Sequence, residues 1–145
     1  MTKLGHYLDL PVFVEYIDSD DFIPKDLLLG SESVLFFCGE NQKGCFSRFV
    51  NTLEEFPVVL MVGGGNTQNH FDEMLDVMSV NSQAVDVMTR MNDTGDFQES
   101  YEEFFQGVWP SESKYDQWDR YLIIMSDITE DLKLKMLKNL NMFLK

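Results

Sequence analysis

The sequence is poor in the residues from which reactive and metal-binding sites are built. It has two cysteines, two histidines and four prolines, and 11 lysines and arginines against 25 aspartates and glutamates. Cys38 and Cys45, with six residues between them, match no zinc, redox or disulfide spacing and read as reduced, partly buried thiols. The shortage of basic residues leaves a formal charge of −14. That excludes a general nucleic-acid binder, whose affinity for phosphate comes from clustered Lys and Arg, and it argues against an anionic membrane surface as partner. No apolar run approaches the ~20 residues of a membrane span. The opening MTKLGHYLDLPVFVEY lacks a basic start followed by a long apolar stretch, so no secretory signal is expected and the cytoplasm is the expected compartment. No linker, repeat or low-complexity tract divides the chain, and a single globular domain over 1–145 is the expectation.

What is present is enough to build a core. A hydrophobic fraction of 44%, with 13% aromatic, is too apolar for a disordered acidic tail. Val12–Ile17 alternates and comes after Pro11, which reads as an exposed or edge strand. Val34–Cys38, Pro57–Val62 and Tyr121–Met125 are unbroken apolar runs, as expected of strands covered on both faces in a parallel sheet. Helical spacing lies between them: Gln42–Glu55, Asn69 to about Met91 with a bend in SVNSQ, and Asp96–Val108. A last helix closes the chain, capped by Ser126 or by Asp127 in a box with Glu130. Its buried face is Leu132, Met136, Leu137, Leu140, Phe143 and Leu144. The first 32 residues are the least patterned, with a short helix readable over Pro24–Leu29. Strands alternating with helices predict an α/β (or α+β) domain with a mostly parallel central sheet of about four strands covered by helices.

Three stretches invite a chemical reading. VGGGNTQNHFDEM, from Val62 to Met74, runs from a strand through Gly63–Gly65 toward a helix, where free N–H groups can hold an anion. It lacks both GK[ST] and GxGxxG, and Asp72 and Glu73 would repel phosphate, so a tight turn capped by Thr67 or Asn69 is the plainer reading. His70 beside those glycines, with Cys38 or Cys45, is the nearest approach to a nucleophile and base, without a supporting motif. Asp18, Asp20 and Asp21 in IDSDDF are similar to a calcium loop, but Ile23 and Leu29 stand where the loop needs Gly and Glu. No catalytic residue, metal or cofactor is expected.

Charge placement is the stronger signal. The 65 residues from Phe49 to Ser113 carry 12 acids and one base, Arg90, whereas the last 20 residues set three acids against four lysines. Within Asp96–Asp119 the acids Asp96, Glu99, Glu102, Glu103, Glu112 and Asp116 interleave with Tyr101, Trp109, Tyr115 and Trp118. The stripe spacing assigns Phe97, Tyr101, Phe104 and Phe105 to the core. Trp109, Tyr115 and Trp118 lie in a polar segment and are candidate anchors. Acids steer a basic partner and aromatic anchors supply the short-range energy, so these acids with Trp109, Tyr115 and Trp118 form the candidate partner face. The same acids could instead do no more than solvate helix faces.

Gly39-Glu40-Asn41, an intervening helix, then Phe56-Pro57-Val58-Val59-Leu60 resembles the corresponding segment of the barstar family of acidic ribonuclease inhibitors. The resemblance covers about 25 residues, and it departs after Thr67, where this chain is longer. It implies a parallel-stranded inhibitor that occludes a basic active site with a helix. Charge and size are likewise similar to immunity proteins of bacterial toxin systems. The expectation is a non-enzymatic cytoplasmic immunity protein or antitoxin whose partner is a basic toxin such as a nuclease. The alternatives are a small α/β ligand- or nucleotide-binding domain or enzyme using Gly63–Gly65, with Asn66, Thr67 and His70 lining the site, and a nucleic-acid mimic from a phage or mobile element.

Overall fold

The computed structural model describes residues 1–17, 29, 31–38, 60–65, 88–91, 97–107, 109–110 and 112–145. Among the described residues six strands form one sheet: β1 (Thr2–Tyr7), β2 (Leu10–Ile17), β3 (Glu32–Cys38), β4 (Leu60–Gly65), β5 (Met88–Met91) and β6 (Arg120–Ser126). Two α-helices are described, α1 (Phe97–Glu102) and α2 (Glu130–Asn141). The spatial order is β1-β2-β6-β3-β4-β5. Every pairing is parallel except the β1–β2 hairpin. The α/β architecture with a mostly parallel sheet is therefore as the sequence predicts, with six strands in place of about four.

The last strand in sequence is central in space. All seven residues of β6 are buried, as suits its run of large apolar side chains flanked on both sides by parallel partners. Its alternate residues face opposite ways. Tyr121, Ile123 and Met125 join Leu35, Phe37, Val12 and Val14 in a core completed by Tyr101, Phe104 and Phe105 and by Met136 and Leu140 of α2. Leu122 and Ile124, with Val34 and Phe36 of β3, are buried on the other face. Each such side chain contributes about 2 kcal/mol of burial.

Five sequence expectations are corrected. Val12–Ile17 is not an edge strand: β2 begins at Leu10, pairs with β6 on one side and is covered on the other by β1. The edge belongs to β1, whose His6 exchanges both backbone hydrogen bonds with Lys145 (3.1 and 3.0 Å). Gly5 permits that approach, since a Cβ there would lie 3.1 Å from the Lys145 carbonyl oxygen and 3.2 Å from Leu144 Cβ. Gly63–Gly65 are the last three residues of β4, in register with Phe36, Phe37 and Cys38, and not a loop after it. Met88–Met91, expected as the end of a helix, is a strand parallel to β4.

The fourth correction concerns the start of α2. Its N-cap is Thr129, whose hydroxyl accepts from the Leu132 amide, and neither Ser126 nor Asp127 caps it. Asp127 takes a left-handed φ of 57° between strand and helix. Leu132, expected in the buried face, is exposed, while Met136 and Leu140 are buried and Leu137, Phe143 and Leu144 pack against the core. The helices expected over Gln42–Glu55, over Pro24–Leu29 and across most of Asn69–Met91 lie outside the described residues, as do Pro57–Val59, Asp18, Asp20 and Asp21. No described helix is long and apolar enough to cross a membrane.

Candidate partner-binding face

The segment from Phe97 to Asp119 climbs out of the core and returns to it. In α1, Ser100 and Tyr101 are buried while Gln98, Glu99 and Glu102 are exposed. A wider π-type turn, Glu103–Gly107, then keeps Phe104 and Phe105 inward. Such a turn adds a residue per hydrogen-bonded loop and rotates the chain beyond it. The chain emerges at Trp109, passes the buried Pro110 and enters a tight 3₁₀ turn, Glu112–Gln117. Residues three apart eclipse in a turn of that kind, so Glu112, Tyr115 and Trp118 fall on one side of it. The Trp118 amide donates to the Tyr115 carbonyl (3.2 Å), and the Asp119 amide donates to the Ser31 carbonyl (3.0 Å), which ties the turn to the start of β3.

The three candidate anchors come together. The Trp118 ring lies 6.2 Å from Trp109 at 86° and 5.5 Å from Tyr115 at 65°. Trp118 in turn stands edge-on to Tyr121 at 5.4 Å. Tyr121 continues the contacts to Phe104 (5.4 Å), Phe105 (5.1 Å) and Tyr7 (5.8 Å). Edge-to-face contacts of this kind add roughly 1 kcal/mol each beyond area burial. The outer pair is open to water, with Trp109 41% and Tyr115 53% exposed, while Trp118 is half-buried beneath them. Its indole N–H is buried with no hydrogen-bond partner among the described residues. The result is a corner of exposed rings fixed to the core through an unbroken aromatic path.

Of the acids singled out by sequence, Glu112 and Asp116 lie exposed on the same turn as Tyr115, and Asp119, not singled out, is exposed beside Trp118. Glu99 and Glu102 lie on the exposed side of α1, Glu103 is half-buried at the start of the π turn, and Asp96 lies outside the described residues. The face is therefore centred on Trp109–Asp119, and the α1 acids are exposed on a separate element. Its position in the sheet is set by β6, which it precedes: it lies at the amino end of the parallel strands.

The alternative site lies at the opposite end. Ile17, Ser126, Cys38 and Gly65 stand side by side where the parallel strands finish. That carboxyl edge is the usual ligand crevice of parallel sheets, about 20 Å of strand away from Arg120. Asn66, Thr67, His70 and Cys45 lie outside the described residues. Among the described residues no group of three or more His, Cys, Asp or Glu side chains is arranged to hold a metal ion.

Sequence reasoning missed one buried polar feature beside the corner. Arg120, the first residue of β6, donates to Glu32, its register partner in β3, through Nη2 at 3.0 Å and Nε at 3.3 Å. The Leu29 amide also donates to both Glu32 carboxylate oxygens (2.9 and 3.2 Å). The Arg120 guanidinium lies 5.9 Å from the Phe13 ring centroid. The only sequence signal was a charged residue at the head of each apolar run.

No protein-family model, curated protein or solved structure matches the chain. The residues carrying the barstar resemblance, apart from Leu60 at the start of β4, lie outside the described residues.

Proposed function

We propose that the chain is an acidic, cytoplasmic binding protein, an immunity protein or antitoxin that neutralises a basic toxin such as a nuclease by covering a surface the toxin needs. The observation supporting this is the Trp109–Tyr115–Trp118 corner, with two rings open to water, the exposed carboxylates of Glu112 and Asp116 on the same short turn and that of Asp119 just after it. A field from a chain of net charge −14 raises the encounter rate with a cationic surface. Rings already held by the core then bind with little ordering cost. Nuclease surfaces are cationic because they bind phosphate.

The test is capture on the tagged chain from its own organism's lysate at ~50 mM salt, with a ~500 mM wash that screens exposed charge pairs. One stoichiometric basic protein whose activity the chain then blocks at a one-to-one ratio is the expected result. An eluate without such a protein, or a captured protein that keeps full activity in the complex, overturns the reading.

A further inference from the structure

We infer that the Trp109–Tyr115–Trp118 corner is a receptor for a single arginine side chain presented by the basic partner. The inference rests on the reading of this face as a protein contact surface and specifies its chemistry.

The rings set the geometry. Trp109 and Tyr115 each stand steeply against Trp118, at 86° and 65°, so three aromatic planes meet at one place and do not stack into a closed column. Edge-to-face pairing uses the edge of one ring and the face of the other, and the exposure of Trp109 and Tyr115 leaves ring surface facing water. Ring faces carry negative potential and attract cations within about 6 Å. The described cation–ring contacts, Arg120 on Phe13 and Lys133 on Tyr16, involve other rings of the chain.

The carboxylates supply the second half of the recognition. Glu112 eclipses Tyr115 one 3₁₀ turn away, which sets an exposed carboxylate beside an exposed ring on one side of the turn. Asp116 and Asp119 are exposed on the same segment. A purely apolar anchor such as leucine would lose hydration among these charges without compensation. A lysine ammonium would satisfy the charge but not the planes. A guanidinium is flat, stacks on an aromatic face and forks onto a carboxylate with two N–H donors, so it uses both features at once. The chain also shows this chemistry internally, since Arg120 lies beside the Phe13 ring while donating to Glu32.

Trp109 and Trp118 are the only tryptophans of the chain, so intrinsic tryptophan emission reports on this corner alone. The experiment titrates the full chain at low salt with the peptide acetyl-Gly-Arg-Gly-Arg-Gly-amide and with matched peptides carrying citrulline or lysine. The expected result is a saturable emission change with the arginine peptide, about tenfold weaker affinity for the lysine peptide and no saturation with the neutral citrulline peptide. Tyr115→Ala and Glu112→Gln keep both tryptophans and alter only exposed groups, and each weakens arginine-peptide binding about tenfold. An equal response to citrulline, an equal response to lysine, or no response to any peptide overturns the proposal. The two readings fail separately. A captured basic partner that binds the Tyr115→Ala chain unchanged removes the arginine receptor and leaves the inhibitor standing. A saturable arginine response in a chain that inhibits no basic protein does the reverse.

Discussion

Glu32 and Arg120, 88 residues apart in sequence, are direct register partners at the amino ends of β3 and β6 and form a buried ion pair at 3.0 Å, their side chains 0% and 10% exposed. The pair joins β3 to the strand that completes the sheet. Such a pair is a weak source of net stability, because desolvation offsets the Coulomb attraction, but breaking it from one side strands a buried charge. Glu32→Gln is expected to cost about 3 kcal/mol in urea unfolding, and Glu32→Leu with Arg120→Met to recover most of that loss. A single substitution that costs as little as the double one would show that the pair is solvated in solution.

Tyr101 and Tyr121 are both fully buried, yet their hydroxyls are in opposite situations. The Tyr101 hydroxyl donates to the Met136 carbonyl at 3.2 Å and fastens the α1 segment to α2, whereas the Tyr121 hydroxyl has no partner among the described residues. Tyr101→Phe is expected to lose about 1 kcal/mol, and Tyr121→Phe to be neutral or stabilising, since it removes a buried polar atom that makes no bond. Equal losses measured by thermal or urea unfolding would contradict the assignment.

The same two phenols make the fold sensitive to base. Burial pushes both well above the ordinary tyrosine value, and Tyr16 is raised in the same sense by partial burial against the opposing pull of the Lys133 ammonium. The native state therefore keeps protons that the unfolded chain gives up. Their contribution is complete below about pH 10, the unfolded value, and falls above it by about 1.4 kcal/mol per pH unit for each of Tyr101 and Tyr121. Urea midpoints measured from about pH 8 to pH 11 should stay level and then drop, with the slope roughly halved in Tyr101→Phe. A level profile through that range in the unsubstituted chain would remove the argument.

The parts of the fold legible in the sequence are those with strong local periodicity. The stripe Phe97, Tyr101, Phe104, Phe105 forms core as its spacing requires, and the unbroken run at Tyr121–Met125 becomes the central strand. The strand β1 is not legible, because TKLGHY is mostly polar and lies at an edge. Nor is β5: MTRM is short, its two methionines and its arginine favour helix, and its strand state comes from non-local pairing with β4. The cap at α2 lies two residues beyond the expected one because Asp127, a good cap by type, is taken up by the left-handed bend that redirects the chain. At the candidate face, composition indicates the aromatics and acids, but their meeting at Trp118 depends on the 3₁₀ turn and on Tyr121, which periodicity does not convey. The Glu32–Arg120 pair depends on register across 88 residues, which no local pattern encodes.

Charge and aromatic anchoring at the face should separate in kinetics. Glu112, Asp116 and Asp119 are exposed, and their field acts before contact, so it governs how fast a basic partner arrives. Reversing the three to lysine changes the local charge by about six units and is expected to slow association with the captured partner about tenfold at low salt, and to flatten its dependence on ionic strength. The rings act only after contact. Tyr115→Ala, at an exposed position, is expected to leave association unchanged and to raise the dissociation rate instead. Stopped-flow or surface-binding kinetics over a salt series distinguish these outcomes. Association rates and salt slopes unaltered by the triple reversal would place the contact face elsewhere on the molecule, whatever the affinity of the complex.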